Sequence, residues 1–111
     1  MIIHQTLANG RWFEFSIAQQ LANVGCDVGR AIKWKNTGDL ETSQKALERA
    51  IELLQFTIAD PKNKKRLREL TRIKEFLLDY FIGENQYGFT DEAWDHYFMF
   101  FNYLYALQKE K

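Results

Sequence analysis

The stretch "WDHYFMFFNYLYAL", Trp94 to Leu107, sets seven aromatic rings in fourteen residues. It reads as a strand, a membrane span or a helix, and the choice decides the fold. Phe101, Tyr103 and Tyr105 alternate as strand residues do, and aromatic side chains favour strands. Against a strand, the segment is long, holds no turn residue and carries helix signals at both ends. Trp94, Tyr97, Phe98, Phe101, Leu104 and Tyr105 recur at spacings of three and four, which places them on one helical face. A membrane span needs about twenty apolar residues, whereas Asn102 interrupts this run and Asp95 and Gln108 bound it. The spacing predicts a helix from Thr90 to Lys109. Thr90 serves as its cap, and Asp91 and Glu92 sit in the first turn, where the helix dipole favours negative charge.

Such a helix has apolar residues to spare. Met99, Phe100, Tyr103 and Leu107 point away from the first face. A helix that is apolar nearly all round is normally covered nearly all round, yet each member of a small bundle keeps an outer face. The surplus is therefore expected to form a homodimer interface. The alternative is an ordinary tyrosine-bearing surface, with the N-terminal "MIIHQTL" folded over the rest.

Working back along the chain, three more helices emerge. The first spans Gly10 to Lys35. Its apolar seam is Phe13, Ile17, Leu21, Val24, Val28 and Ala31, and a stripe of small residues, Ala18, Ala22, Gly25 and Gly29, lies beside it. Each glycine costs about 1 kcal/mol relative to alanine in a helix, so the pair implies a close helix approach or a break. The seam keeps its phase across both glycines, which favours one continuous helix. "NTGD" (Asn36 to Asp39) is a turn, and Asp39 caps a second helix ending near Ala59. Leu47, Ala50, Ile51, Leu54 and Ile58 form its core face, and Glu41 and Lys45 pair on its solvent side. Asp60 and Pro61 end that helix and start a third, from Pro61 to Ile82. Its core face is Leu67, Leu70, Ile73, Leu77 and Phe81, and "GENQYGFT" (Gly83 to Thr90) is the following loop. Short connections place successive helices antiparallel. The expected fold is one all-α domain over residues 1–111, an up-down-up-down four-helix bundle. That topology gathers Arg11, the basic residues at 62–68 and Lys109 at one pole.

The 111 residues are enough for one core, and 46% hydrophobic content excludes global disorder. Fifteen basic residues balance fifteen acidic ones, so electrostatic function has to come from local clustering. Lone Cys26 has no disulfide partner, and with only two histidines there is no zinc set. That usage, and a start without a charged, apolar leader, fit a cytoplasmic protein.

Local clustering occurs once. Between Lys62 and Lys74 stand seven basic residues and one acidic, Glu69. Lys62, Lys64, Lys65, Arg66 and Arg68 crowd the start of the third helix, where cations oppose the dipole. Phosphate groups of a nucleotide or nucleic acid would offset this. A solvated face neutralised by glutamates of neighbouring helices is the plainer reading, since no Gly-rich phosphate loop, nucleic-acid signature or nearby exposed aromatic platform accompanies the cluster. His96 shares a face with Glu92, but one such pair holds no metal. Cys26 between glycine and aspartate reads as a small packing residue. No catalytic motif is present, and no cofactor is expected.

"QLANVGCDVGRAIKWK" (Gln20 to Lys35) and "ALERAIELLQFTIADPKNKKRLREL" (Ala46 to Leu70) resemble a small uncharacterised family of all-helical prokaryotic proteins. The plan is also similar to the HEPN-type helical proteins, which include substrate-binding partners of small nucleotidyltransferases and some ribonucleases. The resemblance implies the bundle and a dimer. It argues against ribonuclease activity, because neither His4 nor His96 follows an arginine at the spacing of four to six that the nuclease branch uses. The expectation is a non-catalytic interaction module, homodimeric through the fourth helix or docked on another protein, with no membrane role. The alternative is a nucleic-acid or nucleotide-binding protein that uses the basic cluster, as accessory to a nucleotidyltransferase.

Overall fold

The computed structural model describes residues 10–109. Among them are four α-helices: α1 (Ile17–Asn36), α2 (Leu40–Ala59), α3 (Leu67–Phe81) and α4 (Asp91–Lys109). Short 3-10 helices, Arg11–Glu14 and Pro61–Arg66, precede α1 and α3. The helices form the up-down-up-down antiparallel bundle expected from the pattern. The segment "MIIHQTL" and His4 lie outside the described residues.

The punctuation works as its chemistry dictates. Gly38 takes a left-handed conformation, φ 91°, after α1, and the Asp39 N–H turns back to the Trp34 carbonyl. Asp39 Oδ1 accepts the Thr42 N–H at 3.0 Å to start α2, and Thr90 Oγ1 accepts the Ala93 N–H at 3.0 Å to start α4. Asp60 caps the Pro61 segment by accepting the Lys62 N–H at 3.1 Å.

α1 is the central element, packed along α2 on one side and α4 on the other. It runs unbroken through both glycines. Only Gly25 is needed for contact: a Cβ built there would lie 2.6 Å from Phe98 Cβ, whereas one at Gly29 would meet nothing within 4 Å. The close approach seats Trp94, Phe98 and Phe101 in a core with Leu21, Val24, Val28, Leu54, Leu70 and Leu77. Each such side chain contributes about 1.5–3 kcal/mol by leaving water. α3 lies against α2, whereas α3 and α4 approach each other less closely and meet through side chains.

Four expectations need correction. The first α-helix starts at Ile17, not Gly10: Phe15 is extended (φ −80°, ψ 145°), and the Ser16 hydroxyl accepts the Gln19 N–H at 3.2 Å. The 3-10 helix before that break turns Trp12 into the core and Phe13 outward, 39% exposed. Leu67, the first residue of α3 after the 3-10 helix, is likewise exposed. Cys26 lies on the surface of α1 and not in the packing.

Candidate functional site

The separation between α3 and α4 leaves a cavity of about 490 Å³. One wall is a face of α3, reached from Lys65 and Arg66 at its foot through Arg68, Glu69, Arg72 and Ile73 to Phe76. Positions 69, 72 and 76 recur at three and four residues, so one face of α3 carries them, and Lys65 joins them from the 3-10 helix before it. The other wall is Trp94 and Tyr97 of α4, with Phe89 from the loop before it.

Local chemistry fixes Phe89. The Asn85 amide oxygen accepts the Phe89 N–H at 3.0 Å, and its amide nitrogen donates to the Phe89 carbonyl at 2.9 Å. Asn85 itself adopts φ 53°, a left-handed conformation that asparagine tolerates better than most residues. Asp79 at the end of α3 accepts the Gln86 and Tyr87 N–H groups. So held, the Phe89 ring stacks on Trp94 at 4.4 Å and lies 5.1 Å from Phe76. The basic cluster therefore stands beside partly exposed aromatic rings, contrary to the expectation that none lay near it. Phe76, Phe89, Trp94 and Tyr97 come from two helices and a loop, so no linear motif marks them. The one sequence signal was the helical spacing from Glu69 through Arg72 to Phe76.

At the middle of the cavity Tyr97 donates to Glu69 Oε2 at 2.7 Å, and the other Glu69 oxygen lies 3.5 Å from Arg66 Nε. Burial, then the hydrogen bond to Glu69 and its charge, hold the Tyr97 phenol well above its ordinary pKa, so it stays a donor. The Arg66 guanidinium lies over Phe101 at 5.7 Å. Among the described residues, Lys65, Arg68 and Arg72 have no ion pair. The cavity thus sets four cations against one carboxylate. The Trp94 indole N–H is buried without a hydrogen-bond acceptor among the described residues, a state that costs about 1–3 kcal/mol when left unmet.

The expected basic residues divide into two groups. Lys65, Arg66 and Arg68 line the cavity, joined by Arg72; Lys62 and Lys64 do not. Lys62 has structural work: its ammonium pairs with the buried Asp60 carboxylate and donates to the Phe13 carbonyl at 3.0 Å. Lys62 to Arg66 lie in the 3-10 helix before α3, with Arg66 at the N-cap of α3 and Arg68 in its first turn, so the cations nearest α3 stand at the positive end of its dipole.

Behind Lys62 is a buried polar network. Gln20 donates to the Trp12 carbonyl at 3.0 Å and to Asp60 Oδ2 at 2.9 Å, and Asn63 donates to Gln20 Oε1 at 2.8 Å. The Trp12 indole donates to Thr57 Oγ1 at 3.1 Å. Burial alone would raise the Asp60 pKa, but hydrogen bonds from Lys62 and Gln20, with the Lys62 charge, lower it below its ordinary value. The network joins the start of α1, the end of α2 and the approach to α3, and Ser16 donates to Gln108 of α4 at 2.8 Å. These elements share one pole, as the topology required. At the other pole Lys35 donates to Tyr80 Oη at 3.0 Å and pairs with Asp91 at 3.2 Å, while Tyr80 donates to the same carboxylate.

The second candidate surface is the outer face of α4. Met99, Phe100, Tyr103 and Leu107 are 57%, 55%, 63% and 40% exposed. His96 and Glu92 are also exposed, and no cluster of three or more possible metal ligands occurs among the described residues. No helix among the described residues is long and apolar enough to cross a membrane. No family model, curated protein or solved structure matches the chain.

Proposed function

We propose that the chain is a non-catalytic helical interaction module that pairs with a second copy of itself through the outer face of α4. The observation that carries this reading is the stripe of Met99, Phe100, Tyr103 and Leu107, at least two-fifths exposed at each position. Its spacing of one, three and four residues makes one continuous ridge, the geometry by which antiparallel helices interlock. Large rings and a methionine are the side chains enriched at the centre of protein interfaces. The test is light scattering on the full chain at tens of micromolar. A dimer that becomes monomeric on F100E or Y103E supports the reading, and a monomeric wild type overturns it.

A second reading, an anion-binding protein using the basic start of α3, is supported by the four cations over the α3–α4 cavity. The two readings use opposite sides of α4 and are compatible. Loss of binding to every anion tested, at low salt, would remove the second and leave the first.

A further inference from the structure

We propose that the α3–α4 cavity binds a small aromatic phosphate monoester, with its planar ring against Phe76, Phe89 and Tyr97 and its phosphate held by Lys65, Arg68 and Arg72. The proposal rests on the anion-binding reading and names the ligand class for it.

Size comes first. At about 490 Å³ the cavity lies within the range of small-molecule sites, which run from about 300 to 1,000 Å³. Lining comes next. Ligand pockets pair a largely apolar wall with a few placed polar groups, and here the apolar wall is mainly aromatic. Ring faces favour a planar, polarisable partner over an alkyl chain, since offset and edge contacts between rings add to simple burial.

Charge then selects the polar end of the ligand. Glu69 is occupied by Tyr97 and Arg66, which leaves three cations around one cavity for a single group. A carboxylate carries one charge, whereas a phosphate monoester approaches two and offers three acceptor oxygens. Arginine guanidinium groups match phosphate oxygens in pairs, and Arg68 and Arg72 stand one helical turn apart on α3.

The same observations disfavour a long nucleic-acid strand. Such a strand follows an extended basic track, but Lys62 is committed to Asp60 and the Phe13 carbonyl. With fifteen cations and fifteen anions, the chain also has no general field to gather a polyanion.

The experiment is calorimetric titration of the full chain with phenyl phosphate, adenosine 5′-monophosphate, adenosine, inorganic phosphate and a short single-stranded RNA. Saturation at one ligand per chain is expected for phenyl phosphate or the nucleotide, about tenfold or more tighter than for adenosine or inorganic phosphate. R68Q combined with R72Q is expected to weaken that binding by about tenfold or more, while K64Q, outside the cavity, leaves it unchanged within about twofold. Unchanged helical circular dichroism in both variants confirms that they fold. Inorganic phosphate binding as tightly as phenyl phosphate overturns the aromatic ligand and leaves the anion-binding reading intact. Binding of none of the phosphates overturns both. RNA binding far tighter than the mononucleotide, with a steep salt dependence, overturns the small ligand in favour of a strand.

Discussion

Gly25 and Gly29 stand one turn apart on α1, and their surroundings give them opposite roles. Replacing either by alanine raises helix propensity by about 1 kcal/mol. At Gly25 the added methyl would lie 2.6 Å from Phe98 Cβ, and α1 and α4 would have to separate. Overpacking of this kind costs about 1–3 kcal/mol, so G25A is expected to be destabilised on balance. At Gly29 nothing lies within 4 Å, and G29A is expected to gain most of the propensity term. Urea midpoints of the two variants check this, and a G25A chain as stable as G29A would show that the helices can part without loss. The small-residue stripe was legible in the sequence as a close approach. Which of its glycines made that approach was not, because the answer depends on where Phe98 falls along α4.

At the scale of the element, spacing of apolar residues located the four helices, and the helix ends depended on single side chains. α2 and α4 began where Asp39 and Thr90 could cap them. α1 did not begin where its apolar seam did. "SIAQ" at Ser16 to Gln19 has the serine and glutamine spacing of a capping box, and the hydroxyl cap stops the helix there against the pull of Phe13 and Trp12. S16A is therefore expected to cost about 1 kcal/mol, the usual worth of an N-cap, even though it also loses the bond from Ser16 to Gln108 at a solvent-exposed position. A smaller loss, read from the thermal midpoint, would mean that the Trp12–Gln20–Asp60 network and not the cap sets the start of α1. The same distinction explains the candidate cavity. The basic wall is one continuous run of sequence, Lys65 to Arg72, and could be read as a charge cluster, but the aromatic wall is completed by Phe89. The position of Phe89 depends on Asn85 and Asp79 across a loop, and no helical period reports it.

For the whole molecule, the pole-to-pole arrangement of charged networks predicts how stability varies with pH. The buried Asp60, and Asp91 at the opposite pole, have folded pKa values below the ordinary ones, in each case because hydrogen bonds and a lysine outweigh the effect of burial. A depressed carboxyl contributes stability that is complete above its unfolded pKa, about 3.9, and is lost as pH falls through the folded value. Tyr80 and Tyr97 have raised folded values, through burial and hydrogen bonds to carboxylates. The Lys35 value is raised because its bonds to Tyr80 and Asp91 outweigh burial. These groups contribute fully below about pH 10, the ordinary range of phenol and ammonium, and their contribution falls as pH rises through the folded values. Stability is thus expected to be flat between about pH 5 and 9 and to fall on both sides. The two limbs can be assigned separately. D60N leaves the Gln20 and Lys62 donors facing an amide, which costs about 1–3 kcal/mol at neutral pH. Its deficit relative to the wild type should shrink in acid, where the native carboxyl also takes up a proton. Y97F removes the phenol and should blunt the alkaline limb while leaving the acid limb unchanged. Urea denaturation at pH 3, 7 and 10.5 measures both. A D60N deficit that stays constant from pH 7 to 3 would place the acid sensitivity of the bundle elsewhere than in the network joining α1, α2 and α3.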